Sequence, residues 1–383
     1  MLHSSYIEIS KSALQYNINF LRQQVGPQVR LSSVVKGNAY GHGIEQFAPL
    51  AQGCGIDHFS VFSADEALRL LEVLPEPATL LVMGYLDNPE LEWAIENGIE
   101  FFVFEPDRLE AAAQAAAKLG KKAKVHLELE TGMNRTGFDA AGLEEATALL
   151  DKYKEHIVLQ GLCTHFAGAE SLQNHERVVA QLQKFTMQRQ KLAGLGYIPE
   201  QVHTACSAAM MSYPEMHMDM VRIGIMQYGL WPSPETKSQY MGQREDRTDP
   251  LHRLITWKSR IMSFKNVAQG EYIGYGTSFQ AGRDMVLAVV PVGYAWGYSR
   301  TLSNQGQVLI QGRQASVVGT VNMNAMMVDV TDFPQVQKSE EVVLLGKQGN
   351  QSITVASFAE LSTQLNYELL TRLPLNIPRF IVD

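Results

Sequence analysis

The sequence predicts an α/β protein, with an N-terminal (β/α)8 TIM barrel and a C-terminal, mostly β domain. Three observations lead there. Over about the first 230 residues, short apolar runs alternate with helical stretches. After Pro232 the texture changes to a β pattern punctuated by turn residues. The chain has 383 residues, 45% of them apolar, which is too long for one minimal domain and too apolar for a disordered one.

The apolar runs are Leu31–Lys36, His58–Phe62, Thr79–Met83, Glu100–Phe104, Lys124–Leu129, Val158–Thr164, Gln201–Thr204 and Met220–Ile223. Gly, Pro, Asn or Asp bound them, and they read as buried strands. The clearest helix between them runs from Pro106 to Leu119. Pro suits the first helical turn, the Ala-rich body has high helix propensity, and Gly120 stands where a helix stops. A second runs from His175 to Leu195, before Gly196. Strands separated by helices predict a parallel barrel, and on pattern alone a doubly wound open sheet competes with it. The polar segment Ser233–Leu251 reads as a linker. Beyond it the β runs are Leu254–Phe264, Asp284–Val290, Gln307–Ile310, Ala315–Thr320, Met326–Val330 and Glu341–Leu345.

Composition excludes several function classes. A net charge of −8 with no basic stripe argues against nucleic acid as a partner. Three cysteines without metal-like spacing exclude a disulfide scaffold and a cysteine zinc site, so no metal is expected. No apolar run approaches the ~20 residues that span a bilayer, so no membrane partner is expected. The start, MLHSSYIEIS, lacks a basic region followed by an apolar core, so a cytoplasmic protein is expected.

In a (β/α)8 barrel the active site lies at the C-terminal ends of the strands. The polar residues just past each expected strand therefore form a test. The first strand ends in Lys36, followed by Asn38 and Tyr40. The fifth carries Glu128 and Glu130 and leads to Arg135, and the sixth to His165. The seventh holds His203 and leads to Ser207; the eighth has Arg222, then Gly224 and Ile225. Singly, each has an ordinary reading: a surface lysine, packing histidines, an Arg135–Glu128 ion pair. Together they are the set that pyridoxal 5'-phosphate (PLP) chemistry needs. A lysine holds the cofactor covalently, small residues and backbone N–H groups hold its phosphate, and an Arg or Asp meets the ring nitrogen.

The motifs resemble those of the bacterial alanine racemases, fold-type III PLP enzymes. The segments are VVKGNAYGHG (34–43), LETGMNRTGF (129–138), THFAGAE (164–170), HTACSAA (203–209), VRIGIMQYGL (221–230), IGYGTSF (273–279), VPVGYAWGYSR (290–300), GTVNMNAMMVDV (319–330) and LNYELLTRLPLNIPR (365–379). The resemblance implies racemisation of L- and D-alanine by two bases, D-alanine supply for peptidoglycan, and a homodimer whose active sites are shared between subunits. It also implies a strand over 1–11 that joins the β domain, a PLP-binding barrel over 12–240 and a β domain over 241–383. By the same resemblance Lys36 holds PLP and is one base, and Tyr275, from the partner subunit, is the other. His165 and Arg222 correspond to the groups behind that tyrosine and the ring nitrogen, with His203 among the cofactor residues. Tyr40, Ser207, Gly224, Ile225 and Tyr367 match phosphate contacts. Arg135 matches an arginine near the cofactor's phenolic oxygen and the substrate carboxylate. Met323 and Tyr294 match substrate-binding residues.

Several positions depart from the family pattern. Gly37 follows Lys36 where alanine is usual, and Cys206 replaces Asn. Glu128 stands where many members carry a carbamylated lysine, and its carboxylate is expected to substitute for that anion. Thr320, Asn324 and Trp296 replace charged residues at the entrance, which leaves the substrate ranking open. The competing readings are a broad-specificity or serine racemase and a PLP-binding homeostasis protein without turnover. Retention of Tyr367 speaks against the first. The β domain carrying Tyr275 and Met323 speaks against the second.

Overall fold

The computed structural model describes residues 3–333, 335–355 and 366–383. Met1, Leu2 and Leu365, which begin two of the segments quoted above, lie outside them. The chain divides into two compact units. One comprises Met1–Ser12, Gly37–Phe47 and Arg253–Asp383; the other comprises Ala13–Lys36 and Ala48–His252.

The first strand, β1 (Ser5–Ser10), belongs to the first of these units. The eight that follow build the second: β2 (Arg30–Val34), β3 (His58–Val61), β4 (Thr79–Val82), β5 (Glu100–Val103), β6 (Ala123–Glu128), β7 (Ile157–Cys163), β8 (Gln201–His203) and β9 (Met220–Ile223). Their order is β8-β7-β6-β5-β4-β3-β2-β9, and neighbouring strands are parallel. Between β8 and β9 the circle closes through Asp219 N–H to the Val202 carbonyl at 3.1 Å and a parallel bridge of Cys206 with Arg222. The barrel is thus the arrangement adopted, not the open sheet.

Local chemistry explains the helices around it. Pro106 opens the helix Pro106–Leu119, and Gly120 ends it with φ of 62°. Asp87 and Glu90 form a reciprocal capping box on Asn88–Glu96. One expectation needs correction. The segment read as a linker contains a helix, Pro234–Gly242. Its Ser–Pro start is an N-cap signal: the Ser233 hydroxyl accepts the Thr236 N–H at 3.0 Å, and Pro234 occupies the first turn.

The first unit holds a mostly antiparallel sheet of β10 (Ile255–Arg260), β11 (Ser263–Val267), β12 (Met285–Val290), β13 (Gln307–Ile310), β14 (Arg313–Val318), β15 (Met326–Asp329), β16 (Glu341–Gln348), β17 (Gln351–Ile353) and β18 (Arg379–Val382). The order is β11-β12-β15-β14-β13-β16-β10-β1-β18, with β17 on β16. Only the β1–β18 pair is parallel among these registers. The run expected as one strand over Leu254–Phe264 is two strands. At Ile261 and Met262 the backbone changes partner: Ile261 N–H bonds Glu340 at 2.9 Å, and Met262 N–H bonds Val289 at 2.8 Å.

The same unit contains an unusual turn. Gly37, Asn38, Ala39 and Tyr40 all have left-handed φ values, 63°, 56°, 53° and 50°. Each non-glycine residue there costs about 1–2 kcal/mol. Local bonds offset this cost: Gly41 N–H to Gly37 at 3.0 Å, Gly43 N–H to Asn38 at 2.9 Å, and Ile44 N–H to the Asn38 side chain at 3.2 Å. The Arg379 guanidinium grips the Gly41 carbonyl at 3.0 and 2.9 Å. Gly41 has φ of +80°, and an added Cβ would run into the Leu370 carbonyl. Gly41→Ala is therefore expected to cost about 1–3 kcal/mol, read as a lower melting temperature; an unchanged one would show that the turn can relax.

Candidate active site

The C-terminal rim of the barrel is built around two cations at different depths. Lys36 follows β2 directly, anchored by the preceding Val35 N–H to the Ser60 carbonyl at 2.9 Å. Its side chain is exposed, yet its amine lies below the ordinary lysine value. Loss of surrounding water is the first cause; the charges of Arg135 and Arg222 come next. More of it is therefore a neutral nucleophile than in an isolated lysine.

Arg222 sits deeper, 4% exposed. Its Nη1 donates to the His203 carbonyl at 3.1 Å and meets the His203 Nδ1. Its Nη2 donates to the carbonyls of Thr164 at 2.8 Å and Thr204 at 3.3 Å. All its hydrogen bonds among the described residues run through these two nitrogens. Beside it, the Ser207 hydroxyl accepts the Gly224 N–H at 2.9 Å, which fastens the loop after β8 to the loop after β9. His165 is half-buried, and its pKa falls to about 3 through burial and then the charges of Arg222, Arg135 and Lys36. It is neutral across the physiological range.

Arg135 is exposed on the loop after β6. That loop folds back on itself: Glu130 N–H bonds the Phe138 carbonyl at 3.0 Å, and the Glu130 carboxylate accepts the N–H groups of Gly132 and Asn134. Glu128 is buried and accepts the Thr136 hydroxyl at 2.7 Å. The Arg135–Glu128 ion pair that spacing allowed is not among the ion pairs of the described residues.

His203 is not at the rim. It is fully buried inside the barrel and joins a chain of side chains that sequence reasoning missed. His203 Nε2 is 2.8 Å from His126 Nδ1, and His126 Nε2 is 2.8 Å from Glu100 Oε2. His58 Nε2 stands 3.9 Å from the same oxygen, and its Nδ1 meets the Ser32 hydroxyl at 2.9 Å. A signal for this existed. The two-residue period of a strand puts His126 on the same face as Glu128, and Glu100 is an acid in an otherwise apolar run.

The remaining predicted residues lie in the sheet unit. Tyr40 and Tyr367 meet edge to face with ring centroids 6.3 Å apart. Tyr275 is 73% exposed, and its carbonyl accepts the Thr320 hydroxyl at 3.3 Å. Tyr294 N–H bonds the Asn322 carbonyl at 3.1 Å, and Ala295 N–H bonds that of Met323 at 3.0 Å. Tyr275, Tyr294 and Met323 thus stand on loops knitted together, all three exposed.

Comparison with known proteins agrees over both units. Residues 9–232 match the family described as "Alanine racemase, N-terminal domain", and residues 254–381 match "Alanine racemase, C-terminal domain". The chain belongs to the alanine racemase family. The alanine racemase of Leptospira interrogans is 36% identical over 381 residues, covering 100% of this chain and 96% of that protein. The solved alanine racemase of Clostridium difficile 630 superposes with a TM-score of 0.91 at 29% identity, covering 100% of this chain and 96% of the other. That of Bartonella henselae, with covalently bound pyridoxal phosphate, gives 0.84 at 26% identity, covering 99% and 100%. The racemase's reaction is the interconversion of L- and D-alanine. Among the described residues no helix is long and apolar enough to cross a membrane.

The racemase buries four histidines completely: His42, His58, His126 and His203. All have pKa values below the ordinary 6.5, chiefly through burial, and His42 falls to about 4. Below pH 6.5 the unfolded chain takes up protons at these groups more readily than the folded chain, so the stability they contribute is present above that pH and drains away as pH falls. Each histidine withdraws up to about 1.4 kcal/mol per pH unit. Urea titrations at pH 7.5 and 5.5 check this; equal unfolding free energies would refute it.

Proposed function

We propose that the racemase works with PLP held by Lys36, and that Lys36 and Tyr275 are its two bases. The observation that carries this reading is the placing of Lys36 at the C-terminal end of a barrel strand, where burial and then the charges of Arg135 and Arg222 lower its amine. The residues fit PLP. Lys36 offers a nucleophilic amine, and Ser207, Gly224 and Ile225 offer hydroxyl and backbone groups at one place for a phosphate. Arg222 leaves Nε for a ring nitrogen. Tyr40 and Tyr367 are further phosphate ligands in this reading. When bound, PLP supplies the electron-withdrawing ring that makes an amino acid's α-proton removable.

The protein's own groups do the rest. Lys36 Nζ takes or returns a proton on one face of the α-carbon, and Tyr275 Oη does so on the other. A phenol has a pKa of ~10, so Tyr275 needs a polarising partner, and neutral His165, backed by Arg222, serves as one. Arg135 and the Met323 backbone bind the substrate carboxylate, and Tyr294 lines the pocket. His203 reaches the cofactor site through Arg222. Arg222 cannot give up its proton, so a ring nitrogen facing it stays unprotonated. That weakens the ring as an electron sink and favours clean proton return over transamination.

The exposure of Tyr275, Tyr294 and Met323 supports a homodimer in which one subunit's barrel works with the other's β domain. In the same reading residues 12–240 form the PLP-binding domain and 241–383 the β domain. The enzyme works in the cytoplasm and supplies D-alanine for peptidoglycan.

A chiral-product assay on a panel of L-amino acids tests the substrate. Alanine should lead by a wide margin, whereas a flat profile would make this a broad-specificity racemase. Tyr275→Phe should lose at least about 100-fold in kcat, the scale of a lost general base; full turnover would reject its role. Arg222→Glu should raise the share of turnovers ending in transamination, measured as keto-acid per D-alanine formed, and an unchanged ratio would count against the electronic argument.

A further inference from the structure

The buried chain Glu100–His126–His203–Arg222 has a direction that chemistry determines. Arg222 can only donate, so His203 Nδ1 must accept and its proton must sit on Nε2. That proton points at His126 Nδ1, 2.8 Å away, so His126 in turn carries its proton on Nε2. His126 Nε2 then donates to Glu100 Oε2 at 2.8 Å. An ionised carboxylate can only accept, so the far end requires the same order. Both ends demand one arrangement of two neutral imidazoles between one cation and one anion.

The surroundings maintain it. Burial keeps His126 and His203 neutral. Glu100 lies at about 2: burial opposes ionisation, and the hydrogen bond from His126, with His58 3.9 Å away, overcomes it. The Phe102 ring lies 6.1 Å from the His126 ring and 5.9 Å from that of His203, shielding the chain from water. Gly161 provides room for the His126 ring, which an added Cβ would strike. Among the described residues no carboxylate pairs directly with Arg222, and Glu100 is the one this chain reaches.

We propose that Glu100 is a positioning residue of the racemase, acting through His126 and His203 to hold the Arg222 guanidinium in place and to balance its charge. The inference rests on the reading above, in which Arg222 faces the ring nitrogen of PLP. Glu100 and its two histidines are buried and act through what Arg222 presents.

Neutron diffraction from perdeuterated crystals of the full-length holoenzyme reads the chain directly. Deuterium is expected on Nε2 of both His126 and His203, with none on Nδ1 and none on Glu100. A Nδ1 deuteron on either ring, or a protonated Glu100, would overturn the proposal. Kinetics of E100Q and E100D test its consequence. E100Q keeps the shape and loses the charge, and its kcat should fall about 10- to 100-fold, the usual scale for a supporting group, with KM within about twofold. E100D keeps the charge and should retain more activity than E100Q, whereas a packing role reverses that order because glutamine is the closer fit in shape. E100Q with wild-type kcat, or more active than E100D, would reject the role. If neither variant folds, the proton positions decide. Absence of racemisation by the wild-type enzyme would fail the functional reading while leaving the neutron result standing.

Discussion

A guanidinium buried inside the barrel is the constraint on which the site depends. Arg222 is 4% exposed and cannot shed its charge, so burying it costs several kcal/mol unless its donors are met. Both Nη nitrogens are met, by carbonyls of Thr164, His203 and Thr204 and by His203 Nδ1. Those acceptors lie at the ends of β7 and β8, and Arg222 itself lies on β9. Satisfying one charge therefore ties together three strand ends at the point where the barrel closes. Burial is the main cause that lowers the Lys36 amine and His165, and the same charge adds to it in both. Closure of the fold and tuning of the rim thus share one residue.

Backbone strain is concentrated at the other end of Lys36. The lysine stands between a fully buried Val35 and a left-handed turn over Gly37 to Tyr40. Such a turn persists only where its surroundings over-determine it. Here Arg379, the Asn38 side chain and the contact at Gly41 do so. Glycine at position 37, where the family usually has alanine, suits φ of 63° better than alanine would. Lys36, between a buried strand end and an over-determined turn, has little freedom in its backbone.

The barrel strands were legible because strands buried on both faces read as apolar runs bounded by turn residues. All eight fall within two residues of their expected ends. The rim residues were legible for the same reason, since strand ends locate the loops. The errors have physical causes. The helix at Pro234–Gly242 has little apolar periodicity, so only its Ser–Pro cap announced it. The break at Ile261 and Met262 reflects a change of pairing partner, which no local pattern encodes. Glu100, His58 and His126 were passed over because each lies inside a run whose neighbours are apolar. A polar side chain inside a barrel depends on partners from other strands, and one strand's sequence does not reveal them.

The overall charge of −8 and the chemistry of the rim are reconciled by distance. Charges spread over the surface are screened within about 8–10 Å at physiological salt, whereas those in a partly water-free mouth are not. What matters is how the nearby carboxylates are engaged. Glu128 accepts from the Thr136 hydroxyl, Glu66 from the Phe62 N–H and Glu100 from neutral His126. Glu128 and Glu100 are thus met by uncharged donors. Among the described residues none forms an ion pair with Lys36, Arg135 or Arg222. Those three cations are consequently not cancelled by direct contact, and the balance that Arg222 does have arrives through two imidazoles. An acidic protein can in this way keep a locally positive rim without the desolvation cost of direct buried ion pairs.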